Sequence, residues 1–570
     1  MFTIFSYKIT EKHLLTTIIL LGAILRFWGL GSAEIFHDEG LYAFRSVGYI
    51  DYIQNDDQST PVQWFRDTVL PWWTNLSFHD APPVFFIVQK IFFDFFGDSL
   101  FAARLPSALA GILAIWLIYL IVKQIFSAGN GYSFGGKKEY LGLLAAFLLA
   151  INHIHIWISR SSLIESLLIA AILLNIYCFF RFLEDRKKWV FFGITFGLVF
   201  LTKYIGIFLL PVYIIYLFII SILRRSDPRK LDILKDWRLY AAFSLALVLF
   251  FPVVIYNIFL FKTTGHFDLQ FAYLFNQSTP EWQVSFGKTQ DPFSDVLINL
   301  GAMYSIPFLL LAAAGLCYLI FSFYKSYRTD KFNWPNRDYL IFWLLNFVFM
   351  TLLLVAIGSA FRFISLYVFT AVILIIYLFD YFFKKYGGII FKILISVFLV
   401  YELFFTIEGV FLTFPDFGVQ KLDQYLNTVF DNQRSALGPS LSNPHLDEIV
   451  QIYAGKYFSS GKQWMIVYDE NVALSTRLWV FTRRLYYRGI PVNTTRQFLG
   501  LLRSQGTDSF RGYEIYFIKA TDRTSLNEHL STPDAADFEN FLKIEQGLSP
   551  IEVISGYDNF PMFYVYKILL

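Results

Sequence analysis

Long apolar stretches separated by polar loops occupy the first 411 residues of this 570-residue chain. A membrane-spanning helix needs about 20 mostly apolar residues, and eleven stretches are candidates. They are residues 12–30, 101–122, 140–158, 162–180, 189–203, 205–222, 239–260, 297–323, 339–358, 363–383 and 388–411. We interpret 189–222 as two short helices that meet at a turn in "LTKYIG", because Lys203 at the centre of one long helix is costly.

The composition agrees with a polytopic α-helical membrane protein. Hydrophobic residues make up 56% of the chain and charged residues 16%, and the mean hydropathy is +0.51. A soluble protein cannot bury that much apolar surface. The net charge of +3 gives no reason to expect a nucleic-acid partner. Lys8 and Lys12 precede the first apolar stretch, and no small-residue cleavage site follows it, so we expect an uncleaved anchor.

Alternate loops differ in charge, which predicts the orientation. One set is rich in lysine and arginine around residues 123–138, 181–188, 224–238, 325–337 and 384–385. The other set includes the long loops 31–100 and 261–296 and is poor in basic residues. The positive-inside rule places the basic set and the N-terminus in the cytoplasm. We therefore expect a multi-pass protein of the plasma or inner membrane whose residues 412–570 are extracytoplasmic.

Two segments outside the spans have patterns of their own. Residues 84–97 are too short and too charged to span, and they fit an amphipathic helix at the outer interface. After residue 411 the chain becomes mixed in polarity, with strand patterns in "WMIVY", "YEIYFIKA" and "MFYVYKI" and a helical pattern at 474–487. We predict a transmembrane domain, 1–411, and a small α/β domain, 412–570.

Ionisable residues gather at the predicted outer ends of the spans. They are Arg26, Asp38, Glu39, His79, Asp80, Arg104, Arg160, Glu165, Lys203, His266 and Arg362. Each has a simple structural explanation taken alone: an arginine that reaches the headgroups, an aspartate that caps a helix, or a histidine that packs. Trp28 and Tyr42 are likewise explained most simply as aromatic residues at the membrane interface. Because these residues come from six or more segments and share one face, a common site explains them better.

Several motifs resemble the GT-C glycosyltransferases, in the branch of protein O-mannosyltransferases and aminoarabinose transferases (glycosyltransferase family 39-like). "LRFWGLGSAEIFHDEGLYA" resembles the family's start, with its Asp-Glu pair after the first span. "HDAPPVFF", "FGDSLFAARLPSALAG", "SRSSLIES", "GLVFLTKYIG" and "FRFISLYVF" are similar, in order and spacing, to its later motifs. Two positions depart from the pattern: Ala81 replaces a lysine of some relatives, and Glu165 replaces an aspartate.

The resemblance implies a GT-C catalytic domain over 1–411 and transfer of a sugar from a polyprenyl- or dolichyl-phosphate donor to an extracytoplasmic acceptor. Asp38, aided by Glu39, is then the candidate base, because an acceptor hydroxyl reacts once a base takes its proton. Inversion at the anomeric carbon follows from this arrangement. The candidate cations for the donor phosphate are Lys203, Arg362, Arg160 and Arg26. The candidate residues for orienting substrate are Glu165, Tyr42 and Asp80.

Two alternatives stay open at this point. A multi-pass transporter also carries ionisable residues, although its charges should lie near the membrane midplane. A non-catalytic glycan-binding membrane protein would use the C-terminal domain. No cofactor is required by any motif; a divalent metal held by His79, Asp80 or His266 is conceivable, but these residues have no recognisable ligand spacing. The sugar and the acceptor are not encoded in any short motif.

Overall fold

A computed structural model describes residues 3–4, 7–8, 10–35, 37–48, 82–127, 139–223, 233–268, 292–328, 337–386, 388–412, 416–431, 433–436, 444–521 and 533–569, with a few single residues between these ranges. The helices before residue 413 are α1 Glu11–Phe27, α2 His37–Gly48, α3 Val84–Phe96, α4 Leu100–Ser127, α5 Glu139–Ile151, α6 His153–Arg160, α7 Ile164–Glu184, α8 Trp189–Thr202, α9 Leu209–Leu223, α10 Trp237–Thr264, α11 Pro292–Met303, α12 Ile306–Arg328, α13 Arg337–Ile357, α14 Phe361–Ile364, α15 Tyr367–Tyr386 and α16 Ile389–Ile407.

Within the described ranges, eight helices are long and apolar enough to cross a membrane. A ninth span forms if α5 and α6, which meet at 58°, count as one. The predicted multi-pass helical protein is therefore confirmed, but the count of eleven is not. Helices α1 and α8 cover predicted spans with only 17 and 14 residues. The single span predicted at 297–323 is corrected to two helices, α11 and α12, because the chain leaves the helical path at 304–305.

Contacts divide the chain into two compact units. The first unit comprises Met1–Trp28, Asn75–Phe85 and Arg104–Thr413, and the second comprises Gly29–Thr74, Phe86–Ala103 and Phe414–Leu570. The chain thus passes from the first unit to the second close to the predicted boundary at 411. Of the described residues of the first outer loop, which the sequence assigns to the transmembrane domain, 31–48 and 86–100 belong to the second unit and 82–85 to the first.

The first unit is a helical bundle whose helices differ in burial. The span that contains α15 is 89% buried, so it lies in the middle of the bundle. The spans of α10, α12 and α16 are only 22–28% buried, and an apolar surface of this kind suits contact with lipid. Helix α8 lies against α7 and α10. Gly193 and Gly197 make the α8–α10 contact close, because a Cβ on Gly193 would lie 2.7 Å from the Ala242 carbonyl oxygen.

The second unit contains an α/β domain, as predicted for the C-terminal region. Strands β1 Thr3–Ile4 and β2 Tyr7–Lys8 pair with each other near the start of the chain. The strands of the α/β domain are β3 Gln463–Tyr468, β4 Val492–Thr494, β5 Tyr513–Ala520, β6 Glu552–Ser555 and β7 Pro561–Leu569. The order in the sheet is β4-β3-β5-β7-β6. Strand β3 pairs in parallel with β4 and β5, while β7 is antiparallel to β5 and β6.

Helices cover both faces of this sheet. They are α17 Val419–Phe430, α18 Pro444–Ala454, α19 Leu474–Thr476, α20 Arg483–Arg488, α21 Thr495–Gln505 and α22 Pro533–Asn540. Alternate residues of β3 therefore enter two separate cores, with Ile466 in one and Val467 in the other. This explains the continuous apolar run "WMIVY", which is typical of a strand buried on both faces.

The larger of the two cores includes part of the first outer loop. Ala43 and Phe44 of α2 and Phe93 of α3 are buried together with Trp479 and Ile466 of the C-terminal region. The ring of Phe44 lies 5.7 Å from that of Tyr486, and the ring of Phe93 lies 6.1 Å from that of Trp479. Burial of these aromatics stabilises the loop and the α/β domain as one body.

Candidate functional site

Three of the predicted site residues meet in the first unit. The Nζ atom of Lys203 lies 2.7 Å from Oε1 of Glu165, and Nε of Arg362 lies 3.9 Å from the same oxygen. The carboxylate is fully buried and the lysine side chain is 3% exposed, whereas the arginine side chain is 23% exposed. Buried charges require such partners, because an uncompensated ion in a low-dielectric interior is costly.

Local backbone structure brings these side chains together. Helix α8 ends at Thr202, and Lys203 has an extended backbone, with φ −161° and ψ 136°, before a short 3₁₀ helix, Tyr204–Phe208. The turn predicted in "LTKYIG" is thus present. Asn175 of α7 connects the surrounding helices: its amide donates to Oγ1 of Thr195 on α8 and its carbonyl oxygen accepts from the hydroxyl of Tyr213 on α9. Such polar contacts hold membrane helices in register.

Both cations lie near the same aromatic ring. Nζ of Lys203 lies 4.8 Å from the centroid of the Phe363 ring, and the guanidinium carbon of Arg362 lies 4.9 Å from it. A ring face attracts cations and tolerates their partial desolvation. The second carboxylate oxygen of Glu165, Oε2, is buried and has no hydrogen-bond partner among the described residues. A carboxylate accepts about four hydrogen bonds, so this oxygen has capacity for a ligand.

Arg26 and Arg160 are held at helix ends in the same unit. Arg26 is fully buried; its Nη1 donates to the carbonyls of Gly22 and Ala150, and its Nη2 lies 2.6 Å from Nδ1 of His155. Nη1 of Arg160 lies 2.6–3.2 Å from the carbonyl oxygens of Leu25, Arg26 and Trp28 at the end of α1. The recorded contacts of both arginines stabilise helix ends, where a positive charge complements the helix dipole.

The acidic pair of the first outer loop lies in the second unit, in the first turn of α2. Asp38 is partly exposed, whereas Glu39 is fully buried. Acidic residues are favourable in this position because they complement the partial positive charge of the helix N-terminus. Tyr42, one turn later, is buried and its ring lies edge-on to that of Phe86 at 5.9 Å. Of the two carboxylates, Asp38 is the more accessible.

Helix α2 is fixed closely against the C-terminal region. Gly40 lies so near Ser475 that a Cβ on it would be 2.8–2.9 Å from the Ser475 Cβ, Cα and carbonyl oxygen. Ser46 donates to the side chain of Gln89 at 2.5 Å, and Gln89 donates to the Ala103 carbonyl at 2.7 Å. The segment that carries Asp38 is therefore held by tertiary contacts at both ends.

Buried ion pairs join α3–α4 to the C-terminal region within the second unit. Arg483 donates from Nη1 to Asp98 at 3.0 Å and from Nη2 to Asp423 at 2.7 Å, and its Nε donates to the Trp479 carbonyl. Arg484 contacts Asp423 at 2.8 Å. Burial alone would raise the pKa of Asp98, but the neighbouring arginines outweigh burial and hold that pKa below its usual value.

Glu34, just before α2, is a further titratable contact in this unit. Its carboxylate accepts from the backbone N–H of Gln420 at 3.3 Å. Burial, supported by the nearby carboxyl of Asp416, raises the pKa of Glu34 to about 7 although the hydrogen bond to Gln420 opposes this shift. Nothing in the sequence marks Glu34 for such a shift, because Gln420 is almost four hundred residues away.

The remaining candidates from the sequence are the two histidines, His79 and His266, and Asp80. His79 and Asp80 lie outside the described residues. His266 is buried, with Nδ1 2.7 Å from its neighbour's carbonyl oxygen. Sequence reasoning missed Asp268, which is fully buried and accepts from the hydroxyl of Tyr204 at 2.8 Å, next to Lys203. Among the described residues, no three potential metal ligands lie together.

Comparison with known proteins adds the fold family. Residues 80–256 match the family described as dolichyl-phosphate-mannose-protein mannosyltransferase. ArnT from Cupriavidus metallidurans in the apo state superposes with a TM-score of 0.51 over 97% of both chains, at 14% identity. The fold is that of the GT-C glycosyltransferases. The resemblance inferred from the motifs is therefore confirmed at the level of the GT-C fold.

Two curated relatives agree over part of the chain. "Putative mannosyltransferase YycA" of Bacillus subtilis (strain 168) is 30% identical over 145 residues, which is 25% of this chain and 20% of the relative. YkcB of the same organism, with the same description, is 26% identical over 221 residues, 34% of this chain and 28% of the relative. The aligned stretches thus span between a fifth and a third of the relatives' length. These matches support the GT-C assignment.

Proposed function

We propose that this protein is an inverting glycosyltransferase that moves a sugar from a polyprenyl- or dolichyl-phosphate donor to an acceptor outside the cytoplasm. One observation carries the proposal: Lys203 and Arg362 converge on Glu165, whose second oxygen is buried without a hydrogen-bond partner among the described residues. The matched family's description, which names a dolichyl-phosphate-linked mannose, supports a donor of this class.

The two cations suit a leaving lipid phosphate. Negative charge develops on the phosphate as the glycosidic bond breaks, and fixed cations in a site shielded from water stabilise it. Lys203 supplies a compact charge and Arg362 a forked donor. Glu165 holds both cations in place, and its free oxygen can accept a hydrogen bond from a sugar hydroxyl. Arg26 and Arg160, proposed from the sequence as further phosphate ligands, then serve chiefly to fix the ends of α1, α5 and α6.

Asp38 is the proposed base. It is more accessible than Glu39 and lies in a helix turn that the α/β domain holds in place. Attack by a deprotonated acceptor hydroxyl on the anomeric carbon expels the phosphate from the opposite side, so the configuration inverts. Glu39 and Tyr42 would then support α2 from within the second unit. Asp80 stays a sequence-based candidate for orienting the substrate.

The orientation proposed with this function follows the basic loops. The N-terminus and the loops rich in lysine and arginine would be cytoplasmic, in a plasma or inner membrane. Residues 31–100, 261–296 and 412–570 would be extracytoplasmic, where lipid-linked sugars serve as donors. No divalent metal or other cofactor enters any of the proposed steps.

The test is transfer of label from a radiolabelled polyprenyl-phosphate sugar in membranes that contain the wild type, Asp38→Asn or Asp94→Asn. Asp94 is a matched control, since it is a partly exposed aspartate of the same loop that pairs with Lys90 at the surface. Asp38→Asn should lower the rate about a hundredfold or more, and Asp94→Asn should leave it unchanged.

Three outcomes would contradict parts of this proposal. Normal transfer by Asp38→Asn would exclude Asp38 as the base but keep the enzyme class. A wild type that transfers no label from mannosyl, glucosyl, galactosyl or aminoarabinosyl donors would contradict the transferase itself, and the transporter or glycan-binding interpretations would replace it. Retained anomeric configuration in the product would contradict inversion.

A further inference from the structure

A second feature of the first unit lies away from the residues discussed so far. An apolar groove of about 470 Å³ is lined by residues of α1, α5, α15 and α16. Its lining includes Leu14, Ile18, Leu144, Phe147, Phe383 and Lys392. The groove is bordered by a single charged side chain within its described lining, and the other walls are mostly aliphatic or aromatic.

The groove and the Glu165 group lie at opposite ends of the helices. Leu14 is in the first turn of α1, whereas Arg160 contacts the last turn of that helix at Leu25. Eleven residues of helix separate these levels by about 16 Å. Glu165 follows Arg160 by only a few residues, at the start of α7. The groove therefore cannot be the place where Lys203 and Arg362 would bind a phosphate.

The end of the bundle that contains the groove is basic. Lys392 is in the first turn of α16, and Lys384 and Lys385 are in the last turn of α15. Lys12 is exposed in the first turn of α1. Of the acidic side chains described near this end, Glu11 pairs with Lys123, Asp380 pairs with Lys384, and Glu184 pairs with Arg181. The local field is thus positive, on the face that the sequence predicts to be cytoplasmic.

We propose that this groove binds an acyl chain of an anionic phospholipid whose phosphate contacts Lys392. An apolar groove open to the bilayer is filled by hydrocarbon rather than water, since water finds too few polar partners there. An exposed lysine at its end lies where a lipid phosphate would be, and anionic lipids are attracted by juxtamembrane lysines. This binding is independent of the proposed transfer reaction and lies at the other end of the helices.

The test compares lipid retention by full-length variants. Wild type, Lys392→Gln, Lys392→Arg, Leu144→Trp and Lys187→Gln are reconstituted in bilayers of phosphatidylcholine with one fifth phosphatidylglycerol. Bound lipids are then counted by native mass spectrometry. Lys187 is an exposed lysine of the same basic face but lies between α7 and α8, outside the groove.

Wild type and Lys392→Arg should retain one phosphatidylglycerol in preference to phosphatidylcholine. Lys392→Gln should weaken that preference about fivefold, and Leu144→Trp, which fills the groove, should abolish retention of either lipid. Lys187→Gln should behave as wild type. The proposal would be overturned if Lys392→Gln and wild type preferred phosphatidylglycerol to the same extent. It would also be overturned if the wild type retained no lipid, or if a second copy of the chain covered the groove.

Discussion

Two groups of buried charges in this molecule both place basic side chains around carboxylates, but their hydrogen bonding differs. In the second unit, every guanidinium nitrogen of Arg483 donates, to Asp98, Asp423 or a backbone carbonyl. In the first unit, Lys203 and Arg362 share one oxygen of Glu165, and the other oxygen has no partner among the described residues. We call the ions around Arg483 the saturated group, because every guanidinium nitrogen of that arginine donates a hydrogen bond. We call the ions around Glu165 the open group, because Oε2 of Glu165 has no hydrogen-bond partner among the described residues.

We interpret this difference as one between a structural role and the chemical role proposed for Glu165. A group of ions whose donors and acceptors are all bonded within the protein stabilises the fold but has no donor or acceptor available for a ligand. A buried carboxylate oxygen without a partner costs free energy in the folded protein, and such a cost is common where a substrate will supply the missing hydrogen bond. The contrast is therefore the strongest structural support for placing substrate chemistry near Glu165.

The saturated group should respond most strongly in stability. Arg483→Met would leave Asp98 and Asp423 buried with weakened compensation, so we expect the free energy of unfolding of the second unit to fall by about 3–5 kcal/mol. Arg496→Met is the matched control, because Arg496 pairs with Asp534 at the surface and its side chain is 71% exposed. It should change stability by less than about 1 kcal/mol. Limited proteolysis and thermal unfolding would measure both, and equal effects would contradict the comparison.

The open group should respond in activity instead. Arg362→Gln removes a cation that lies 3.9 Å from Glu165 and is partly exposed, so Lys203 still compensates the carboxylate. We expect the rate of transfer to fall about 10²–10³-fold with little change in thermal stability. Arg181→Gln, in a surface pair with Glu184, should leave the rate unchanged. A loss of stability without a loss of rate would assign Arg362 to the fold.

A smaller effect is expected where α2 meets the C-terminal region. Gly40→Ala would place a methyl group against the backbone of Ser475, and overpacking of this kind typically costs about 1–3 kcal/mol. The second unit should unfold at a lower temperature, and transfer should slow because Asp38 shares that turn. Gly500→Ala is the control, since nothing lies within 4 Å of the added Cβ. Unaltered stability of Gly40→Ala would show that α2 can move.

A further expected effect is a pH dependence of the stability of the second unit. The pKa of Glu34 is raised from 4.5 to about 7 in the folded protein, so the folded state binds more protons than the unfolded state between these values. The contribution of Glu34 to stability is present below pH 4.5 and is lost as the pH rises through about 7. Chemical unfolding of wild type and Glu34→Gln across this window would measure it. A constant difference between the two would contradict the shift.

Much of the architecture was predictable because it depends on local pattern. Long apolar runs predicted helices at 363–383 and 388–411, and the turn at Lys203 followed from the cost of a central charge. The length and the apolar, β-branched and aromatic residues of "WMIVY" and "YEIYFIKA" predicted strands. The separation of α11 from α12 was missed although the sequence marks it: Ser305 accepts from the backbone N–H of Phe308 at the start of α12, and Pro307 lies in the first turn. Apolar composition predicts that a segment is buried in lipid or protein, but it does not predict where a helix ends.

The candidate site was predictable in its residue types but not in its groupings. Asp38, Glu165, Lys203 and Arg362 stood out as charges at span ends, and motif order connected them to the GT-C glycosyltransferases. The convergence of Lys203 and Arg362 on one oxygen depends on the packing of α7, α8 and α14. Arg26 and Arg160 looked equivalent to these cations in the sequence, yet their recorded contacts are to helix ends. Asp268 carried no signal until the Tyr204 hydroxyl was found beside it.

The sequence by itself determined the class of this protein, since hydropathy is a sum over neighbouring residues and needs no knowledge of distant ones. It also determined which charges were available and at which ends of the spans. Tertiary structure decided how those charges are shared, because Coulomb and hydrogen-bond energies depend on distances between residues far apart in the chain. It likewise decided that α2 packs with the C-terminal region, because only the folded chain brings Gly40 against Ser475.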